Sequence, residues 1–172
     1  HKEEEIIGAY RIGQTDLLQK NGGVSQLYLS QMFHFQAKFI NQQQPCLEMG
    51  RSFIVEAHQN SFHGLLLLWK GIGAFVGQNP RYRTLYGTVS LSKLYDPRSV
   101  ALMNEVMVTT GSGVKAKARF DGQLHPEVKD FINAEPLELS QLSALVMGIE
   151  QDNKDIPVLL KQYHKLGAKF HC

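Results

Sequence analysis

Cys46-Leu47-Glu48-Met49-Gly50-Arg51-Ser52-Phe53-Ile54-Val55 is the stretch on which the fold turns. Its apolar and β-branched residues read as a buried strand. Yet it carries a carboxylate, a glycine and an arginine in its middle. Side chains alternate along a strand, so Glu48 and Arg51, three apart, would point to opposite faces. Glycine inside a strand often marks a bulge. A bulge at Gly50 would turn Glu48 and Arg51 to the same side and release backbone N–H groups from the ladder. The bland alternative is an ion pair at a sheet edge. Buried charge is costly unless it is paired, and such groups gather at sites. A carboxylate beside free N–H groups suits acyl transfer to an amine. The carboxylate would take the ammonium proton. The N–H groups would hold the tetrahedral oxyanion.

Outward from this strand, Gln59-Asn60-Ser61 offers a helix cap. A helix over about 64–76 follows, with Leu65, Leu66, Leu68, Trp69, Ile72, Phe75 and Val76 at helical spacing. Thr84 to Leu91 reads as the next strand, which completes a β-α-β unit with parallel strands. Before the central strand, Glu5 to Ile12 is β-prone, with Gly13 as its stop. A helical turn over 16–20 is capped by Thr15, and Val24 to Ser30 alternates like a strand. Met32 to Ile40, with Phe33, Phe35 and Phe39, fits strand and helix equally.

Asp96-Pro97 opens a further helix to about Val108, with Asp96 as cap and Pro97 as first residue. Residues 110–117 read as a mobile loop or a break in the ordered chain. Helices are expected over 137–149 and 156–166, and a last strand over 168–172.

The chain has 172 residues, 43% hydrophobic and 20% charged, with a formal net charge of +2. That is one ordinary domain with a real core. The charge and the lack of a basic arm speak against nucleic acid as a partner. Two cysteines, Cys46 and Cys172, make no disulfide framework, so a reducing compartment is expected. No apolar run approaches the ~18 residues that a membrane span needs. None of the seven histidines falls in metal-ligand spacing, so no metal is expected. Cys46 reads as a small core residue rather than a catalytic thiol.

Five motifs occur in order: Gly8-Ala9-Tyr10-Arg11-Ile12, Leu47 to Val55, Leu66-Leu67-Leu68-Trp69-Lys70-Gly71-Ile72, Tyr86-Gly87-Thr88-Val89-Ser90, and Val158-Leu159-Leu160-Lys161-Gln162-Tyr163-His164-Lys165-Leu166-Gly167. Together they resemble the hemolysin-named acyltransferases, which include the N-acyltransferases of ornithine and glycine lipids. That group is a branch of the GNAT superfamily and is similar to acyl-homoserine-lactone synthases. The resemblance covers most of the chain, less clearly 109–135.

The resemblance implies an α/β fold of GNAT type, with a mixed sheet, in one partial domain over 1–172. Its first strand and helices would precede His1, and about 109–135 would be flexible. It implies no bound cofactor, an acyl-carrier-protein or CoA thioester as donor, and an amino-acid amine as acceptor. Glu48 and Arg51 match the Glu-x-x-Arg pair of the homoserine-lactone synthases, and Arg11 matches an arginine on their preceding strand. The implied roles are Glu48 as base or amine-binding group, with Arg51 and Arg11 fixing loops or a substrate carboxylate. Phe53, Ile54, Val55, Asn60, Ser61 and Ser90 would bind the donor.

The usual GNAT pyrophosphate loop is absent. Gln59-Asn60-Ser61-Phe62-His63-Gly64 only approximates it, which favours a pantetheine arm on a carrier protein. Lys70, Arg81, Arg83, Lys93 and Arg98 would form a landing patch for that acidic partner, or simply a solvated face. The implied setting is bacterial aminolipid synthesis, cytoplasmic or peripheral at the inner membrane. The alternatives are an acyl-homoserine-lactone-type signal synthase, and a non-catalytic acyl- or carrier-binding module fused to a lysophospholipid acyltransferase.

Overall fold

The computed structural model describes residues 5–36, 39, 45–59, 62–109, 111, 113–118 and 120–172. The chain divides into two compact units, His1–Thr88 and Val89–Cys172.

The first unit is built on a three-stranded mixed sheet. Strand β1 (Gly8–Gln14) runs antiparallel to β3 (Leu47–Ile54), and β3 runs parallel to β4 (Leu85–Gly87). Between β1 and β3 lie the short helix α1 (Thr15–Leu18), three 3-10 turns (Gln19–Asn21, Gly23–Gln26, Tyr28–Gln31) and the three-residue strand β2 (Phe33–Phe35). Helices α2 (Glu56–Gln59) and α3 (Phe62–Gln78) link β3 to β4. The expected β-α-β unit is therefore present. The fold is mixed α/β.

Each face of the sheet has its own cover. Tyr10 points towards α3, where Gly71 makes room for it: a Cβ there would lie 2.5 Å from the Tyr10 hydroxyl. Arg11, on the opposite face by alternation, points towards the 3-10 turns.

Three local expectations fail in this unit. β1 passes through Gly13 instead of stopping there. Thr15 does not cap α1, because its Oγ1 accepts the Cys46 N–H at 2.9 Å and ties α1 to the start of β3. Residues 24–30 are 3-10 turns, not a strand. Leu27 and Leu29 are both buried, so their two-residue spacing imitates a strand. The N–H groups of Tyr28 and Leu29 instead bond a buried carboxylate.

β4 is also shorter than 84–91. Its last paired residue, Gly87, lies so close to β3 that a Cβ would sit 2.7 Å from the Met49 carbonyl oxygen. In the region left open at 32–40, residues 33–35 form β2, and the Phe35 and Phe39 rings stack with centroids 6.1 Å apart.

The second unit is mainly helical: α4 (Pro97–Met107), the short strand β5 (Val114–Ala116), α5 (Pro126–Ala134), α6 (Leu139–Ile149) and α7 (Val158–Lys165). Its core is Leu102, Met103, Ile132, Leu142, Val146, Ile156 and Leu160. Asp96 caps α4 as expected, its Oδ1 accepting the Arg98 N–H at 2.8 Å. Glu138 and Gln141 form a reciprocal capping box on α6. Helix α5 lies inside the stretch expected to be flexible, with Ile132 anchoring it in the core. The last strand is reduced to one bridge between Val108 and Phe170. Among the described residues no helix is long and apolar enough to cross a membrane.

Candidate active site around Glu48

Glu48 lies at the centre of the first unit's sheet and is fully buried, at 0% exposure. Its Oε1 accepts the Leu29 N–H at 2.9 Å. Its Oε2 accepts the Tyr28 N–H at 3.2 Å and Arg11 Nη1 at 2.8 Å. The strand order explains the last contact, since β1 lies beside β3 and brings Arg11 to Glu48 from the neighbouring strand. Arg11 keeps 37% of its side chain exposed, so it spans from the buried carboxylate to the surface.

Gly13 makes this pairing possible. It faces Glu48 across the antiparallel ladder. A Cβ at position 13 would come within 3.3 Å of both Glu48 Oε2 and Arg11 Nη2, and within 2.8 Å of Leu18 Cδ1.

The expected bulge is present, one residue along. Between the pairs Ala9↔Phe53 and Arg11↔Gly50, β1 has Tyr10 alone while β3 has both Arg51 and Ser52. Two residues facing one is a β-bulge. The left-handed residue is Arg51, at φ 51°, and not Gly50. The bulge turns Arg51 towards the Glu48 face, where its guanidinium lies over the Tyr28 ring, 4.9 Å from the centroid. Arg51 and Glu48 make no ion pair with each other. Arg11 is the cation on Glu48, and Tyr28 touches both members of the Glu-x-x-Arg pair.

The bulge coincides with the end of the β3–β4 ladder. β4 pairs only with Leu47, Glu48 and Met49, so Gly50 to Ile54 have no strand on that edge among the described residues. Not every backbone N–H of the expected donor-binding positions Phe53, Ile54 and Val55 is free. The Val55 N–H bonds the Ile7 carbonyl at 2.8 Å. Alternation then aims the Phe53 N–H at β1 and the Ile54 N–H at the open edge. The Ile54 carbonyl accepts Gln59 Nε2 at 2.9 Å, consistent with that direction. The N–H group available beyond the end of the β3–β4 ladder is therefore that of Ile54. Phe53 is 52% exposed beside it.

The remaining expected positions fall elsewhere. Asn60 and Ser61 lie outside the described residues. Ser90 is exposed, follows the end of β4 and belongs to the second unit. The basic patch is interrupted: Arg81 pairs with Asp16 at 3.1 Å, and Arg98 with Asp96 at 2.8 Å. Lys93 and Arg98 are in the second unit, away in sequence from Lys70 and Arg83. Cys46 is buried, and burial pushes its thiol up, as suits a core residue. No group of metal-ligating side chains occurs among the described residues.

Sequence reading missed Gly13, Tyr28 and Tyr86. Tyr86 is the partner of Glu48 across the parallel ladder. Its phenol oxygen is buried without a hydrogen-bond partner. Burial pushes the phenol up, and the Glu48 charge adds to the shift. Gly13 did carry a signal, since it lies two residues beyond Arg11 and therefore on the same face.

Residues 1–70 match the family model described as an acetyltransferase (GNAT) domain. The matched stretch holds β1, the bulged strand β3, Arg11, Glu48 and Arg51. The match supports an enzyme of the N-acyltransferase class that uses an acyl thioester as donor. No curated protein and no solved structure matches the chain.

Proposed function

We propose, from the GNAT-domain match as premise, that the chain moves a fatty acyl group from a thioester to the amine of an amino acid in bacterial aminolipid synthesis. The observation that carries the reading is the end of the β3–β4 ladder at Met49, with the bulge next to it and the Arg11–Glu48 pair on the adjoining strand. An acyl carbonyl laid along the open edge of β3 meets the Ile54 N–H group, which would hold the oxyanion. The amine nitrogen attacks that carbonyl carbon. The C–S bond breaks, and the thiol leaves with the proton the amine gives up.

The proposed roles differ from a simple base assignment for Glu48. Both of its oxygens accept hydrogen bonds and neither meets solvent. Glu48 thus serves as the anchor that holds Arg11 and residues 28–29. The exposed part of Arg11, with Arg51 over Tyr28, is suited to the carboxylate of an amino-acid acceptor. The donor proposed is an acyl-carrier-protein thioester, with acyl-CoA as the other candidate. A long-chain product implies contact with a membrane surface.

The test is thiol release by the purified protein with acyl-carrier protein or acyl-CoA as donor and glycine, ornithine or S-adenosylmethionine as acceptor. Release that depends on glycine or ornithine supports the reading. Release only with S-adenosylmethionine points to a signal synthase. Donor binding with no release under any condition points to a non-catalytic module.

A further inference from the structure

Glu48 has three hydrogen-bond donors, and they are not equivalent. Two are backbone N–H groups in a 3-10 turn, which cannot leave without unravelling that turn. The third is Arg11, on a long side chain that reaches the surface. A fourth donor is carried by the neighbouring strand. Tyr86 is paired with Glu48 in the parallel ladder, so the two side chains rise from the same face of adjacent strands. The Tyr86 phenol is sealed from solvent and bonds nothing. A buried hydroxyl without a partner is destabilising. Such a group in a native fold calls for an explanation.

We propose that Tyr86 is a reserve donor for Glu48: when Arg11 leaves to bind the anionic group of a substrate, the Tyr86 O–H takes over the vacated Oε2. Arg11 can then serve two partners without leaving a bare buried carboxylate behind. Tyr86 is a positioning residue in this scheme and touches no substrate. Burial and the Glu48 charge both keep the phenol protonated, as a donor must be. The phenol does not replace the Arg11 charge, but it gives the vacated oxygen a charge-assisted hydrogen bond and so lowers the cost of freeing Arg11.

The reserve-donor half stands on stability alone and is tested by a double-mutant cycle on melting temperature. Tyr86→Phe by itself is expected to leave the melting temperature unchanged or raised, because it deletes an unsatisfied group. Arg11→Ala is expected to lower it at least about twice as far in the Tyr86→Phe background as with Tyr86 present. Loss of folding only in the double variant has the same meaning. Additive shifts overturn the proposal. So does failure of Arg11→Ala to fold while Tyr86 is intact.

The substrate half rests on the acyltransferase reading. Ornithine and ornithine amide are compared as acceptors, with glycine and glycinamide as the second pair. In Tyr86→Phe the KM for the free acid is expected to rise roughly tenfold, about 1.4 kcal/mol. The KM for the amide is expected to move by less than about twofold, within the scatter of a neutral change. Equal shifts for acid and amide overturn this half. If the wild-type protein acylates no amine, the acyltransferase reading fails, and the stability cycle still decides the role of Tyr86.

Discussion

Gly13 faces Glu48 across the β1–β3 ladder, and a methyl group at position 13 would come within 3.3 Å of the Glu48 carboxylate and of the Arg11 guanidinium. The buried ion pair exists in the space that this missing side chain leaves. The same methyl would press on Leu18 at 2.8 Å. Gly13→Ala should therefore destabilise the protein by about 1–3 kcal/mol, the usual cost of overpacking. Urea denaturation measures it. A variant as stable as the wild type would mean that Leu18 and the ion pair shift freely, and the tight fit would lose its importance.

Glu48→Gln separates anchoring from proton transfer. The amide keeps one acceptor oxygen but places an NH2 group against N–H donors on the other side. Breaking the pair in this way costs at most the ~3–5 kcal/mol of a fully buried pair, since Arg11 is part-exposed. The expected outcome is lower stability together with lost turnover. Unchanged stability with abolished turnover would contradict the anchoring role and return Glu48 to service as the base.

Arg51 combines an unfavourable backbone conformation with a side chain stacked on Tyr28. Left-handed geometry costs a non-glycine residue about 1–2 kcal/mol. Arg51→Gly should consequently be more stable than Arg51→Ala by about 1 kcal/mol. If the guanidinium meets the acceptor, turnover falls alike in both variants. Full turnover in Arg51→Gly would show that only the bulge matters at this position.

Asp96 gives the second unit a pH-dependent contribution to stability. The Arg98 side chain, then the Arg98 backbone N–H, holds its carboxyl down from the ordinary 3.8 to about 2. A carboxyl depressed by folding stabilises the native state above its unfolded pKa and stops doing so as pH falls through its folded value. The cap's ionic contribution is therefore complete near neutrality and fades between about pH 4 and pH 2. Asp96→Asn keeps a capping oxygen but has no charge to lose. The melting-temperature difference between wild type and Asp96→Asn should shrink towards zero across that window. A constant difference would sink the assignment.

Elements with strong local signals were legible before any coordinates. The helical spacing from Leu65 to Val76 marks α3, and Asp96-Pro97 marks the start of α4. The alternation around Glu48 marks a buried strand, and a charge in a buried strand demands a partner. Where local pattern competed with tertiary contact, reading failed. Leu27 and Leu29 are spaced like strand residues. Their segment forms 3-10 turns because the Tyr28 and Leu29 N–H groups bond the Glu48 carboxylate, from about twenty residues further along the chain, and such long-range contacts override local propensity. Thr15 has the chemistry of a cap but accepts the Cys46 N–H instead.

By itself the sequence determined that a carboxylate and two arginines lie in or beside buried strands of a mixed α/β fold, because apolar spacing and the cost of unpaired buried charge are local facts. Only the tertiary structure decided which arginine pairs with Glu48. That choice depends on strand order and register, which place Arg11 of β1 beside Glu48 and let the bulge send Arg51 to Tyr28. Register is set by the whole sheet and its cover, and no single stretch of the chain encodes it.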